Sequence, residues 1–233
     1  PIAQAGEAQA RALGDDVRHI LQAWAALRRD YPHELPRQPL AMQEGDIAVQ
    51  DWSGERRARH ANDADAIWYS ITASELYDNK GTLRADKLLN AWLRALLAAA
   101  CEQPARGVLI ARDAVLDVPP LAMDAEAARA QLAVILTHYN QGLRKPLPVA
   151  IQTALCALRQ ADEAEQLGQK VRAKYEGGYM HSGEVTHDAH LARRYPDFAA
   201  LCEDGRFLEL ARALYAPLLH WSQTFCAREA NDE

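Results

Sequence analysis

The chain lacks most of the marks by which a catalyst announces itself. Its four cysteines, Cys101, Cys156, Cys202 and Cys226, are scattered with no Cys-x-x-Cys pair, so neither a zinc nor a disulfide framework is indicated. Reduced thiols in a cytosolic chain fit this usage better. No glycine-rich phosphate loop is present, so the chain carries no ATP site of its own that sequence can show. No Ser-His-Asp or Cys-His arrangement stands out. The longest apolar runs, such as residues 93–101, are too short and too interrupted to span a bilayer. The Ala- and Gln-rich start has no basic-then-apolar order of the kind a signal peptide needs. An excess of positive charge is missing as well. The net charge is −6, whereas a domain that grips a nucleic-acid backbone unaided is more often strongly basic. Any contact with DNA is therefore local or shared with partners. Internal repeats and low-complexity tracts are absent, and the first residue is Pro rather than Met, which suggests a fragment or a processed product.

What is there is ordinary in amount and informative in order. Hydrophobic residues make up 49% and charged residues 25%, and 233 residues suffice for one sizeable core. Across residues 7–29, Leu13, Val17, Ile20, Leu21, Trp24 and Leu27 recur three and four apart, which predicts an amphipathic helix. After Pro32, Pro36 and Pro39, residues 40–42 and 47–52 flank a Glu44-Gly45-Asp46 turn and predict a hairpin. Residues 53–65, rich in Arg and Asp, read as a loop. Ile67-Trp68-Tyr69-Ser70-Ile71 is β-branched and aromatic and predicts a third strand. Residues 83–100 form the strongest helix of the first half, with Leu88, Leu89, Trp92, Leu93, Leu96 and Leu97 on one wide face. Two further strands are expected at 107–111 and 115–118, then a helix opened by Asp124 and running past Tyr139. That helix ends in YNQGLRKPLP, residues 139–148, where Gly142 suits a left-handed turn, Pro146 and Pro148 stop the helix, and Arg144 and Lys145 complement its dipole. Beyond it the pattern is helical: one long or two shorter helices over 151–175, a polar loop over 179–190, a short helix over 198–201 and a long one over 207–225, kinked or restarted at Pro217.

In order, the first half reads αβββαβ, the order of the PD-(D/E)xK, or restriction-endonuclease-like, nuclease core. In such nucleases an Asp on the second strand and an acid-x-Lys on the third hold a divalent metal beside the scissile phosphate, because Mg²⁺ takes hard oxygen ligands. Here the hairpin's second strand offers Asp51, but residues 67–71 carry no acid and no Lys. The nearest acid-x-Lys, Asp78-Asn79-Lys80, lies past that strand in a segment ending at Gly81. An active nuclease built on Asp51, Asp78 and Lys80 is the alternative; a nuclease-like fold without the chemistry is the preferred reading. His181, Glu184, His187, Asp188 and His190 invite a metal site, yet no Cys is near and a zinc site needs converging ligands, so a surface loop is preferred and no metal or other cofactor is expected. Arg56, Arg57 and Arg59, with His60, form the densest basic patch and are the candidates for DNA contact. Asp63 and Asp65 close behind favour a self-paired loop equally.

Several stretches resemble one family. YNQGLRKPLP is similar to the YxxGLxxPLP signature near the C-terminus of RecC, the gamma subunit of exodeoxyribonuclease V. LRADKLLNAWLRAL at 83–96 resembles that family's helix with its AWL motif, and 107–110 the strand that follows. Gly45-Asp46-Ile47 through Trp52 resembles its second strand, and 195–201 with 214–219 its closing helices. The resemblance implies an α+β domain with an inactive PD-(D/E)xK-like core over 1–148 and a helical part over 149–233, excised from a longer bacterial, cytoplasmic subunit. It implies RecB and RecD as partners in an ATP-dependent helicase–nuclease, double-stranded ends and forked DNA as ligands, and neither a membrane nor a small-molecule substrate.

Overall fold

The computed structural model describes residues 2–61, 66–160, 167–179 and 181–229. It divides into two compact units, Pro1–Leu132 and Ala133–Glu233, with the division inside one helix. The architecture is mixed α+β.

In the first unit, helix α1 (Ile2–Asp30) leads to strand β1 (His33–Leu35). Strands β2 (Pro39–Glu44) and β3 (Ile47–Trp52) follow, then β4 (Glu55–Ala58) and β5 (Ile67–Ile71). A 3₁₀ turn (Ala85–Leu88) opens helix α2 (Leu89–Ala100), and β6 (Arg106–Ile110) and β7 (Val115–Val118) complete the sheet. Its order is β1-β4-β5-β6-β7. All neighbours are antiparallel except β5 and β6, and a parallel pair needs a long crossover, which α2 supplies. The hairpin β2–β3 forms as expected, in register from Pro39↔Trp52 to Glu44↔Ile47, but as a sheet of its own. The strands that precede β5 in the main sheet are therefore β1 and β4, not the hairpin.

Residues 53–65 were expected to be a loop, and β4 overturns that over Glu55–Ala58. Its sequence, Glu-Arg-Arg-Ala, lacks any strand alternation. Arg56 and Arg57 are nonetheless buried, because backbone carbonyls receive their guanidinium groups. Asn62 to Asp65 lie outside the described residues, and with them the two carboxylates of the expected self-paired loop.

Side chains alternate along β5 and divide the helices between two faces. Ile67, with Val108 and Ile110 of β6, packs against Leu27 of α1, and Tyr69 stacks on Trp24 with ring centroids 4.7 Å apart. Trp68, between them in sequence, lies beneath the guanidinium of Arg94 on α2. The Gly107 opposite it in register leaves room for the indole: a Cβ there would stand 2.1 Å from the ring. Helix α2 starts at Leu89 rather than at residue 83; of its predicted apolar face Trp92, Leu96 and Leu97 are buried, each stabilising by about 1.5–3 kcal/mol, and Leu89 and Leu93 are half-buried.

Helix α3 (Ala125–Arg144) starts at the expected cap, with Asp124 accepting from the Ala127 N–H. It runs through Gly142 to Arg144, so Gly142 is helical rather than a left-handed terminator, and the stop comes from Pro146. The second unit continues with α4 (Ile151–Arg159) and α5 (Leu167–Glu176). Residues 179–190, expected as loop, hold more structure than that. Strands β8 (Gly177–Gly178) and β9 (His181–Ser182) pair, and helices α6 (Glu184–His187) and α7 (Ala189–Arg194) follow. Asp188 caps α7 by accepting from the His190 and Leu191 N–H groups. Helix α8 (Phe198–Cys202) and the single helix α9 (Phe207–Glu229) close the chain. Pro217 lies inside α9 without restarting it; the burial of Leu210, Ala211, Leu218 and Leu219 along the helix outweighs one lost backbone bond. The unit's core gathers Tyr175, Val171, Leu201 and Phe207 around Ala154 and Ala157.

Candidate nucleic-acid interface

Two clefts lie at opposite ends of β5, and both are lined by arginines. The cleft at its N-terminal end, about 550 Å³, is bordered by Arg56, Arg59 and Arg106 with Tyr31, Gln38 and Gln103. Each of these cations already has a partner. Arg56 Nη1 donates to the Pro36 carbonyl (3.2 Å). Arg59 Nη2 donates to the Tyr31 hydroxyl (3.3 Å), with its guanidinium over the same ring. Arg106 Nε donates to Asp117 Oδ1 (2.7 Å), which raises its pKa above the ordinary value. Arg57, the neighbour in sequence, points instead towards α1: Nε donates to the Tyr31 carbonyl and Nη2 to the Pro32 carbonyl, both at 2.7 Å. Of the three arginines picked out in the sequence, Arg56 and Arg57 are buried and Arg59 is exposed.

The cleft at the C-terminal end of β5, about 410 Å³, is lined by Arg37, Asp51, Trp52, Glu55, Tyr69, Ser70 and Arg94, among others. Glu55 opens β4 directly opposite Tyr69. Its carboxylate accepts from Arg37 Nη2, and this hydrogen bond raises the arginine's pKa. Burial raises the pKa of the Tyr69 phenol, and the Glu55 charge adds to that, so the hydroxyl stays protonated. Asp51 ends the hairpin, exposed, its Oδ1 accepting from the Trp52 N–H (2.7 Å). Arg94 is different in kind. Its guanidinium carbon lies 5.3 Å from the centroid of the Trp68 ring, its Nε is buried with no hydrogen-bond partner, and no carboxylate pairs with it among the described residues. Gly54, at φ +83°, lets the chain pass close by; a Cβ there would stand 3.2 Å from the guanidinium carbon.

Asp78 and Lys80 are not on the lining of this cleft. They sit in a tight turn in which Asp78 Oδ1 accepts from the Lys80 and Thr82 N–H groups, both at 2.9 Å. Asp51 and the Asp78-x-Lys80 pair are thus held by separate local structures. Asp113 fixes the same connection from the other side: burial would raise its pKa, but the Tyr77 and Leu76 N–H groups it accepts outweigh burial and lower it. The histidine-rich segment is also built from local bonds. Glu184 accepts from the Gln152 and Thr153 N–H groups at the start of α4, and His187 Nε2 meets Ser182 Oγ at 2.6 Å. Among the described residues no three of His, Cys, Asp and Glu are grouped so as to hold a metal ion.

Sequence reasoning singled out neither Glu55 nor Arg94. The signal for Arg94 was present: it is the one charged residue in the α2 sequence LNAWLRALLAAA. Glu55 carried none until β4 was recognised as a strand.

Fold and clefts together define an α+β domain with arginine-lined clefts at both ends of a central strand that carries no acid and no lysine. The family model of the RecC C-terminal domain matches residues 1–162, and the chain belongs to that family. No curated protein matches it. The matched span includes YNQGLRKPLP, whose Tyr139 and Leu143 are exposed on α3 and whose Pro146 carbonyl accepts from the Tyr195 hydroxyl (2.8 Å). No helix among the described residues is long and apolar enough to cross a membrane.

Proposed function

We propose that this chain is a non-catalytic scaffold of the RecBCD helicase–nuclease, in which it guides and splits duplex ends and binds RecB and RecD during recombinational double-strand break repair in the bacterial cytoplasm. The family match carries the reading. The connectivity supports a PD-(D/E)xK-like core from different strands than the sequence suggests: α1, then β1, β4 and β5 antiparallel, α2 as crossover, and β6 parallel to β5. On that assignment β4 is the second strand and β5 the third. The cleft between their ends holds one acid from the second strand, Glu55, already joined to Arg37, and only Tyr69, Ser70 and Ile71 from the third. Metal-assisted hydrolysis needs free converging carboxylates and a lysine; the lining has Glu55, taken by Arg37, and Asp51 from the separate hairpin, and it has no lysine. We read residues 1–148 as this core and 149–233 as the helical part. Of the basic patch, Arg59 is the residue with a guanidinium at the surface, and we assign it to duplex contact, with Arg56 at the rim of the same cleft and Arg57 supporting it from within.

The test uses the chain with a forked duplex, with Mg²⁺, and with RecB and RecD. Salt-sensitive binding of the fork, co-purification with the partner subunits and no cleavage are expected. Mg²⁺-dependent cleavage lost on Asp51→Ala or Lys80→Ala would establish the nuclease alternative instead. Co-purification without fork binding would leave a protein-interaction domain alone.

A further inference from the structure

We infer that the cleft at the C-terminal end of β5 seats one nucleotide of single-stranded DNA, its phosphate on the Arg94 guanidinium and its base on the exposed Trp52 indole. The inference rests on the DNA-guiding role proposed above and names a site and a ligand form within it. Four observations carry it.

Arg94 is the group in need of a ligand. A buried guanidinium nitrogen without a hydrogen-bond acceptor is costly, and neither the Trp68 ring face beneath Arg94 nor Gly54 beside it supplies one to its Nε. Stacking on Trp68 fixes the fork of donors so that little side-chain freedom remains to be lost when an anion arrives. An oxyanion with several acceptor oxygens is the complement of that fork.

The other charges of the cleft do not fill the place. Glu55 is held by Arg37, and Asp51 accepts from the Trp52 N–H at the exposed end of the hairpin. Formal charges on the lining thus cancel, two cations against two anions, so binding would be a local contact rather than capture by a broad positive field, as the chain's net charge of −6 also requires.

The wall is aromatic and open. Trp52 is 52% exposed and Ile71 45%, both on the lining of the same cleft as Arg94. A large indole left in solvent beside an unpaired arginine is the pairing that single-strand binders use, ring for base and cation for phosphate. A duplex keeps its base faces stacked inside and cannot offer one to Trp52, so the ligand is a single strand.

Tyr69 and Ser70 add hydroxyl groups at the same end of the strand. Burial keeps the Tyr69 phenol protonated, so it remains a donor.

The experiment measures binding of the chain to a labelled short oligothymidylate, to an abasic strand of the same length, and to a forked duplex. Trp52→Ala should weaken oligothymidylate binding by about tenfold and leave the abasic strand unchanged, since only a base can stack. Arg94→Gln should weaken both strands and lower the salt slope by about one contact. Asp51→Asn should tighten both, by removing an anion from the lining. Trp52 and Asp51 are at the surface, so those two variants decide the matter even if Arg94→Gln loses stability. Oligothymidylate binding unchanged in Trp52→Ala and Asp51→Asn overturns the site while fork binding by the wild type keeps the broader reading. A wild type that binds the fork but no single strand overturns the site in the same way. A wild type that binds neither overturns both.

Discussion

The two ends of β5 use the same residue type for opposite ends. At the N-terminal end three arginines line one cleft and a fourth lies beside it, and each has a backbone carbonyl, a hydroxyl or a carboxylate for its guanidinium. At the C-terminal end Arg37 is paired and Arg94 has only a ring. The richer cluster therefore serves chiefly to hold β4 against the segment after α1, and the poorer one contains the guanidinium that still lacks an acceptor. Counting cations would rank the two clefts the wrong way round. What separates them is the number of acceptors that the fold has already supplied.

Substitutions at the two ends of β5 should separate the roles of the two clefts. Gly107→Ala drives a methyl group into the Trp68 ring that Arg94 stacks on, and overpacking of this kind costs about 3 kcal/mol. Urea denaturation should show that loss, and single-strand binding should fall with it. Arg57→Ala leaves the Tyr31 and Pro32 carbonyls without their buried donor, at about 2 kcal/mol in the same measurement. Once folding is accounted for, its DNA binding should match the wild type; a specific loss would move Arg57 from support to contact. The helical unit supplies a control by pH. Burial pushes the Tyr215 phenol up to about 12, the Glu184 charge adding to that, and Tyr175 is raised by burial as well. With folded pKa values above the unfolded 10, the stabilisation is complete below pH 10 and declines as pH rises towards 12. The decline is at most about 1.4 kcal/mol per pH unit per group. Tyr215→Phe should flatten its share of that slope in alkaline unfolding curves and leave both clefts' binding unchanged. The smallest effect belongs to Arg59→Ala. It should shift stability by about 0.5 kcal/mol and reduce the salt dependence of fork binding by about one contact. An unchanged salt dependence would remove Arg59 from the duplex surface.

Much of the fold was legible where a segment's own pattern decides it. The aromatic and β-branched run of β5, the apolar β6 and the wide face of α2 all read correctly, because burial on a sheet or helix leaves its period in the sequence. The hairpin also read correctly as a pair, since its turn and alternation are local. Its separation from the main sheet left no such trace. β4 was missed for a sharper reason: a strand of Glu, Arg, Arg and Ala is buried only because the Tyr31, Pro32 and Pro36 carbonyls come to meet it from some twenty residues and more upstream. With β4 went Glu55, and with the correct strand order went the site. Gly142 misled in the other direction, since a glycine followed by Pro146 resembles a helix end although Pro146 alone makes the stop.

The family, the α+β class, the net charge of −6 and the lack of acid and lysine in residues 67–71 could all be read along the chain. These follow from composition and from runs short enough to be read in place. Which strands flank β5, which arginines are already engaged, and that Arg94 on a helix, Trp52 on a hairpin and Glu55 on an unrecognised strand share one cleft are set by how distant segments pack together. The difference is one of range. Hydrophobic period is written along the chain, whereas whether a guanidinium has an acceptor depends on what distant segments bring within three ångströms of it.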